Sequence, residues 1–191
     1  MTIPSQVNYV GKGADLYHLG YRFHGSGLVI TRYLRNAWLW DQVRVQGGAY
    51  GAFCLLDHFS GALTFVSYRD PNLLQTIDTF DRSSRFLEEI TLSDEELSKA
   101  IIGAIGDLDG HMLPDAKGFT SLVRYLTGDT EANRQQMRDE VLGTRSDDFK
   151  AMARMIEEVK NNGIVKVLGS PNAIEAAERE RPGWLKTVKV L

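Results

Sequence analysis

The chain has 191 residues, which is enough for one domain with a substantial hydrophobic core. Hydrophobic residues make up 43%, charged residues 25%, and the net charge is −3, so neither nucleic acid nor an anionic membrane is an expected partner. No apolar run approaches the roughly 20 residues that a membrane-spanning helix needs. Cys54 is the single cysteine and cannot form an internal disulfide, so we expect a small buried side chain there.

The first predicted elements are a short strand, a loop and a helix. The strand covers residues 6–10, and the loop, which contains five glycines, covers residues 11–27. From Leu28 the spacing of apolar residues becomes helical, and the helix is predicted to end near Val43, before a glycine pair. Its predicted buried face consists of Ile30, Tyr33, Leu34, Ala37 and Trp38.

A central hairpin follows this helix. Residues 49–56 form a nearly continuous apolar run and residues 61–68 alternate, which predicts two strands. Residues 57–60 lie between them, so the strands are predicted to pair in antiparallel fashion.

The second half of the chain is predicted to be mainly helical. A helix begins at Asp70-Pro71-Asn72, and a capping box of Ser93 and Glu96 begins the next one. The further predicted segments are helices at residues 115–126, 130–142, 146–161 and 172–180, and strands at residues 164–168 and 186–191. With no linker dividing the chain, this order indicates a single α+β domain whose mainly antiparallel sheet is packed against helices.

The sequence contains no motif for metal-dependent or nucleophilic catalysis. None of the four histidines (His18, His24, His58 and His111) belongs to an H-x-x-E-H or H-E-x-x-H motif. There is also no G-x-S-x-G motif, and Cys54 lies within an apolar run. We therefore expect no metal site and no nucleophile within this chain.

Arg44 and Tyr50 are the strongest candidate site residues. They flank Gly47 and Gly48 at the predicted change from helix to strand, where both side chains could donate hydrogen bonds to one carbonyl oxygen. In the alternative interpretation, Arg44 neutralises a helix C-terminus and Tyr50 is an ordinary strand aromatic. The residues alone favour this alternative.

Several segments resemble the C-terminal part of the presequence proteases, a branch of the insulinase (pitrilysin) metallopeptidases. They are residues 6–12, 38–51, 67–74, 99–103 and 113–118, so the resemblance runs in order through essentially the whole chain. It implies that residues 1–191 form the last domain of a four-domain zinc endopeptidase, with a pitrilysin-type (LuxS/MPP-like) fold.

The resemblance also implies a divided active site. Zinc is expected on an H-x-x-E-H motif in the first domain, outside this chain, whereas Arg44 and Tyr50 match a pair that binds the substrate backbone across the chamber. Gly47 and Gly48 are weaker candidates for substrate binding. The fragment alone is expected to be inactive.

The implied partners are the N-terminal half of the same peptidase and unstructured peptide substrates. The implied location is the bacterial cytoplasm, the mitochondrial matrix or the chloroplast stroma. Two alternatives stay open: a purely structural chamber domain of the same family, and an unrelated small binding domain.

Overall fold

The structure is a computed structural model, and it describes residues 1–189. It contains a four-stranded antiparallel sheet with the spatial order β2-β3-β1-β4. The strands are β1 (Asn8–Asp15), β2 (Gly51–Leu56), β3 (Ala62–Asp70) and β4 (Ile164–Leu168). The predicted hairpin is β2 and β3, and its antiparallel pairing is confirmed.

Helices pack against one face of this sheet. After β1 come α1 (Ser26–Tyr33) and, continuous with it, a π-helical segment (Leu34–Gln46), which we call the π segment. The remaining helices are α2 (Leu74–Asp81), α3 (Ser83–Glu89), α4 (Asp94–Leu108), α5 (Pro114–Thr127), α6 (Glu131–Leu142), α7 (Ser146–Asn162) and α8 (Pro171–Glu180).

The two faces of the sheet differ in burial. Side chains on the covered face lie under the π segment and helices α1, α2 and α7, and the buried apolar ones include Val10, Leu63, Phe65 and Val167. Side chains at the alternating positions are exposed or half-buried, and we call this side the open face. Its members are Tyr9, Gly11, Gly13, Gly51, Phe53, Leu55, Thr64, Val66, Tyr68, Ile164, Lys166 and Leu168.

The predicted loop at residues 11–27 is wrong in its first part, because β1 continues to Asp15. Gly11 and Gly13 read as loop residues, yet both pair with β3 on one side and β4 on the other. Lys12 between them points to the covered side, where its Nζ lies 2.5 Å from Asp81 Oδ1 and donates to the Lys160 carbonyl at 2.9 Å. Pairing with two neighbouring strands therefore overrides the local preference of the glycines.

The helical predictions need two corrections. The first predicted helix continues past Val43 to Gln46 and changes to π geometry at Leu34. The helix predicted from residue 70 is two helices, α2 and α3, because helical geometry is interrupted at Arg82. The apolar residues predicted for its inner face are nevertheless buried; they are Leu73, Ile77, Phe80 and Leu87. The capping box of Ser93 and Glu96 is confirmed.

The C-terminal segments agree with their predicted type. Strand β4 and helix α8 lie at the predicted positions, and Ser170 caps α8 by accepting a hydrogen bond from the Ala173 amide. Of the predicted last strand, the structure shows an isolated bridge between Lys189 and Thr2, while residues 190 and 191 lie outside the described residues. Among the helices described, none combines the length and the apolar character needed to cross a membrane.

Candidate functional site

The end of the π segment fixes the approach to β2. Gly48 has φ +77°, a left-handed conformation that favours glycine. Its amide donates to the Arg44 carbonyl at 3.0 Å, and the Ala49 amide donates to the Val43 carbonyl at 3.1 Å. In each bond, donor and acceptor are one residue further apart in sequence than in the corresponding bond of the Schellman motif, which ends many α-helices. This larger separation fits the wider π geometry.

Arg44 lies in the last turn of the π segment and is half-buried. Its guanidinium carbon is 3.8 Å from the centre of the Trp40 ring, whose side chain is 51% exposed. Among residues 1–189, no carboxylate lies within 4 Å of this guanidinium. The cation therefore rests on an aromatic ring, and its N–H donors stay available to a ligand.

Tyr50 stands immediately before β2 and is 69% exposed. Its amide is anchored, because it donates to the Tyr68 carbonyl at 3.1 Å and to the Arg69 carbonyl at 3.4 Å. Its ring meets the Tyr68 ring edge to face, with the ring centres 5.8 Å apart. The backbone of Tyr50 is thus fixed while its phenol is presented to solvent.

A β-bulge in β3 lies beside Tyr50. Asn8 pairs with Asp70 but Val10 pairs with Ser67, so β3 has one extra residue opposite Tyr9. Arg69 absorbs the irregularity with φ 49°, and it is the only non-glycine residue with positive φ in the part of the chain that the structure describes. A strained residue of this kind persists only where its surroundings hold it.

A buried polar network holds the bulge and the end of the π segment together; we call it the Asp70 network. The Asp70 carboxylate accepts from the Asn72 amide at 2.9 Å and from Thr76 Oγ1 at 2.7 Å. Asn72 Nδ2 donates to the Gly47 carbonyl at 2.6 Å, and Asn8 Nδ2 donates to the Asp70 carbonyl at 3.1 Å. Three separate chain segments are thereby locked at one corner of the sheet.

The predicted site residues therefore share one connection between the π segment and β2. Gly47 and Gly48 turn the chain between Arg44 and Tyr50, as the sequence indicated. The supporting residues Asn8, Asp70 and Asn72 were not predicted. The only signal for the latter two was their place in the run at residues 67–72, which reads equally well as a simple turn between strand and helix.

The chemistry of this corner is that of hydrogen-bond donation. Arginine stays charged at any working pH, and a tyrosine hydroxyl donates while neutral. Within residues 1–189, no group of three or more histidine, cysteine or acidic side chains is placed to hold a metal ion. Cys54 is buried on the covered face, and burial raises the pKa of its thiol. The arrangement can bind and polarise a carbonyl.

Comparison with solved structures gives the class of fold. The chain is similar to a putative zinc protease from Bordetella pertussis, with a TM-score of 0.61 and 18% identity, over 84% of this chain and 93% of that one. It is also similar to a peptidase M16 inactive domain from Pseudomonas fluorescens, with a TM-score of 0.63 and 12% identity, over 89% of this chain and 42% of that one. The fold is that of the M16 peptidase domains, so the predicted fold class is confirmed.

Sequence comparison gives the family. The family model described as the PreP C-terminal domain matches residues 1–170, and the chain belongs to this family. It is 48% identical over 191 residues to presequence protease 1, chloroplastic/mitochondrial, of Arabidopsis thaliana. It is 32% identical over 169 residues to protein HypA of Clostridium perfringens. All of this chain matches 18% of the first relative, and 88% of it matches 17% of the second, so the chain spans less than a fifth of their length.

Proposed function

We propose that residues 1–191 are the last domain of a zinc metalloendopeptidase of the presequence protease type, and that Arg44 and Tyr50 bind the backbone of its substrates. The single observation that carries the proposal is the corner itself. In a chain of this family, Arg44 and Tyr50 lie at the two ends of one connection. Within residues 1–189, the Arg44 guanidinium contacts an aromatic ring and no carboxylate, and the Tyr50 phenol is exposed.

The separate roles of Arg44, Tyr50 and zinc follow from charge and geometry. Arg44 can oppose the negative charge that develops on a carbonyl oxygen during attack by water, and Tyr50 can donate a second hydrogen bond to the same oxygen. Activation of that water would come from zinc, which would be held by residues outside this chain. The Asp70 network fixes the backbone of the connection that carries both donors before substrate arrives, and preorganisation makes a donor more effective.

The partners and location follow from the same proposal. The rest of the polypeptide is the partner that carries zinc, and the substrates are unstructured peptides recognised through main-chain hydrogen bonds. The bacterial cytoplasm, the mitochondrial matrix and the chloroplast stroma are the compartments proposed by resemblance. The name of the Arabidopsis relative mentions both chloroplasts and mitochondria.

The experiment is a comparison of variants in the full-length protein. We expect Arg44→Ala and Tyr50→Phe each to lower kcat/KM for an unstructured peptide by about 10²–10³, because each removes one donor to a developing oxyanion. Thermal unfolding and zinc content should stay close to those of the unaltered protein, since both side chains lie outside the core.

Tyr125→Phe is the matched control, because Tyr125 on α5 is an 83% exposed tyrosine outside the corner and the substitution also removes only a hydroxyl. Its kcat/KM should change by less than about threefold, since we assign its hydroxyl no substrate contact and surface substitutions usually have small effects. Near-normal turnover in both Arg44→Ala and Tyr50→Phe would reject the assigned roles.

A structural chamber domain is the alternative that one observation favours. Two of the similar structures are described as inactive peptidase domains, one from Pseudomonas fluorescens and one from Bordetella parapertussis. A pure scaffold predicts that Arg44→Ala and Tyr50→Phe leave kcat unchanged, whereas removing the whole domain abolishes activity. The same two variants therefore separate the two functions.

A further inference from the structure

Three tyrosines form a continuous row on the open face. The ring of Tyr68 lies between those of Tyr50 and Tyr9, with ring centres 5.8 Å and 5.4 Å apart and interplanar angles of 68° and 70°. Tyr50 is 69% and Tyr68 is 44% exposed, and Tyr9 is half-buried. This tyrosine row holds its rings edge to face and leaves much of their apolar surface in solvent.

Two strand positions next to the row are glycines, whereas Val66 and Leu168 beside it on the open face carry side chains. Gly51 pairs with Tyr68 across the hairpin, and a Cβ atom there would meet the Phe53 ring at 3.2 Å. Gly11 is the next residue after Tyr9 on the open face of β1. A Cβ atom at Gly11 would meet neighbouring atoms only at 3.6 Å or more, which is ordinary contact. Glycine inside a strand costs stability relative to alanine. Packing does not require glycine at position 11, and along the open face of β1 no side chain follows that of Tyr9 until Asp15.

The charges around this space are positive. Arg69 at the bulge is exposed, and Lys166 of β4 pairs with Gly11 and is exposed on the same open face. Arg44 lies six residues before Tyr50, at the start of the connection that leads into β2. A basic side chain would be repelled here, whereas an uncharged apolar side chain gains contact with the rings.

We propose that the tyrosine row, with Gly11, is a subsite for an apolar or aromatic side chain of the bound peptide. The inference rests on the proposed function, because Tyr50 belongs both to the row and to the carbonyl-binding pair. A peptide whose backbone is held at Tyr50 places a neighbouring side chain over Tyr68 and the glycine-lined space. The row thus selects substrates that carry apolar residues beside the bound carbonyl.

The first test uses the full-length enzyme and two unstructured peptides that differ only in phenylalanine against serine at one position. We expect Tyr68→Ala to lower kcat/KM for the phenylalanine peptide about tenfold and for the serine peptide less than about twofold. Gly11→Val, which fills the space without removing a ring, should have the same selective effect. Tyr125→Ala, at an 83% exposed tyrosine on α5 outside the row, should change neither value by more than about twofold.

If Tyr68→Ala and Gly11→Val each lowered kcat/KM equally for both peptides, the subsite would be overturned. A purely structural role would affect both peptides alike, whereas a subsite changes the ratio between them. If the Tyr68→Ala variant does not fold, the Gly11→Val variant alone decides, since a Cβ atom at position 11 makes only ordinary contacts of 3.6 Å or more.

The second test does not require catalysis. Amide chemical shifts of Gly11 and Gly51 are followed in the 191-residue chain on addition of N-acetyl-phenylalanine amide or N-acetyl-serine amide. We expect concentration-dependent shifts with the phenylalanine probe only, and their loss in Tyr68→Ala. No shift with either probe, or equal shifts with both, overturns the subsite. Shifts together with normal turnover of Arg44→Ala and Tyr50→Phe would instead reject the proposed function and keep the subsite.

Discussion

The two faces of the sheet carry similar residue types and serve opposite purposes. Leu63 and Phe65 on the covered face are 0% and 1% exposed, whereas Leu55 and Phe53 on the open face of the neighbouring strand are 52% and 37% exposed. Alternation along a strand is enough to send one set into the core and the other to solvent. Apolar residues on the open face are therefore not explained by folding, and they become candidates for binding.

The comparison shows that stability and activity reside in different side chains of the same strands. Fold stability depends on the covered face and on the Asp70 network beneath the corner. The proposed function depends on Arg44, Tyr50 and the tyrosine row, which lie outside the core. Substitutions on the two faces should therefore have separable effects.

The largest expected effect is a difference in stability between matched substitutions on the two faces. Leu63→Ala should lower the free energy of unfolding by about 2–5 kcal/mol, because it leaves a cavity in the core. Leu55→Ala removes the same atoms from the open face and should change the free energy of unfolding by no more than about 0.5 kcal/mol. Denaturant unfolding of the 191-residue chain measures both. Equal losses in the two variants would show that the open face is covered in solution.

A smaller effect is expected from a substitution in the turn that joins the π segment to β2. Gly48→Ala should destabilise by about 1–2 kcal/mol, because alanine is strained at φ +77°, although a Cβ there would meet only Pro71 Cγ at 3.5 Å. The matched control is Gly106→Ala on α4, where nothing lies within 4 Å of the added atom. That variant should stabilise by roughly 0.5–1 kcal/mol. A neutral Gly48→Ala would mean that the turn does not hold its left-handed conformation.

Local signals in the sequence predicted much of the fold. The hairpin of β2 and β3, the capping box of Ser93 and Glu96, and the apolar face of α2 and α3 depend on residues close together in the chain. The continuation of β1 through Gly11 and Gly13 was not predictable in this way, because it depends on pairing with strands distant in sequence. The π geometry had no signal in the spacing of apolar residues.

The candidate site was predictable only in its local part. Arg44 and Tyr50 are six positions apart, so a sequence pattern can connect them. Tyr9 and Tyr68 join Tyr50 only after β1, β2 and β3 have paired, and Asn8 joins Asp70 for the same reason. The exposure of the row and the strained Arg69 are properties of the folded chain.

The most direct test of the account is a double-mutant cycle in the full-length peptidase. The measurement is kcat/KM for one unstructured peptide in the unaltered protein, Arg44→Ala, Tyr50→Phe and the double variant. If both side chains donate to one carbonyl oxygen, the double variant should lose clearly less than the product of the two single losses, because residues that act as a unit are not additive. Fully multiplicative losses would contradict a shared carbonyl, and four equal rates would contradict any role of this corner in catalysis.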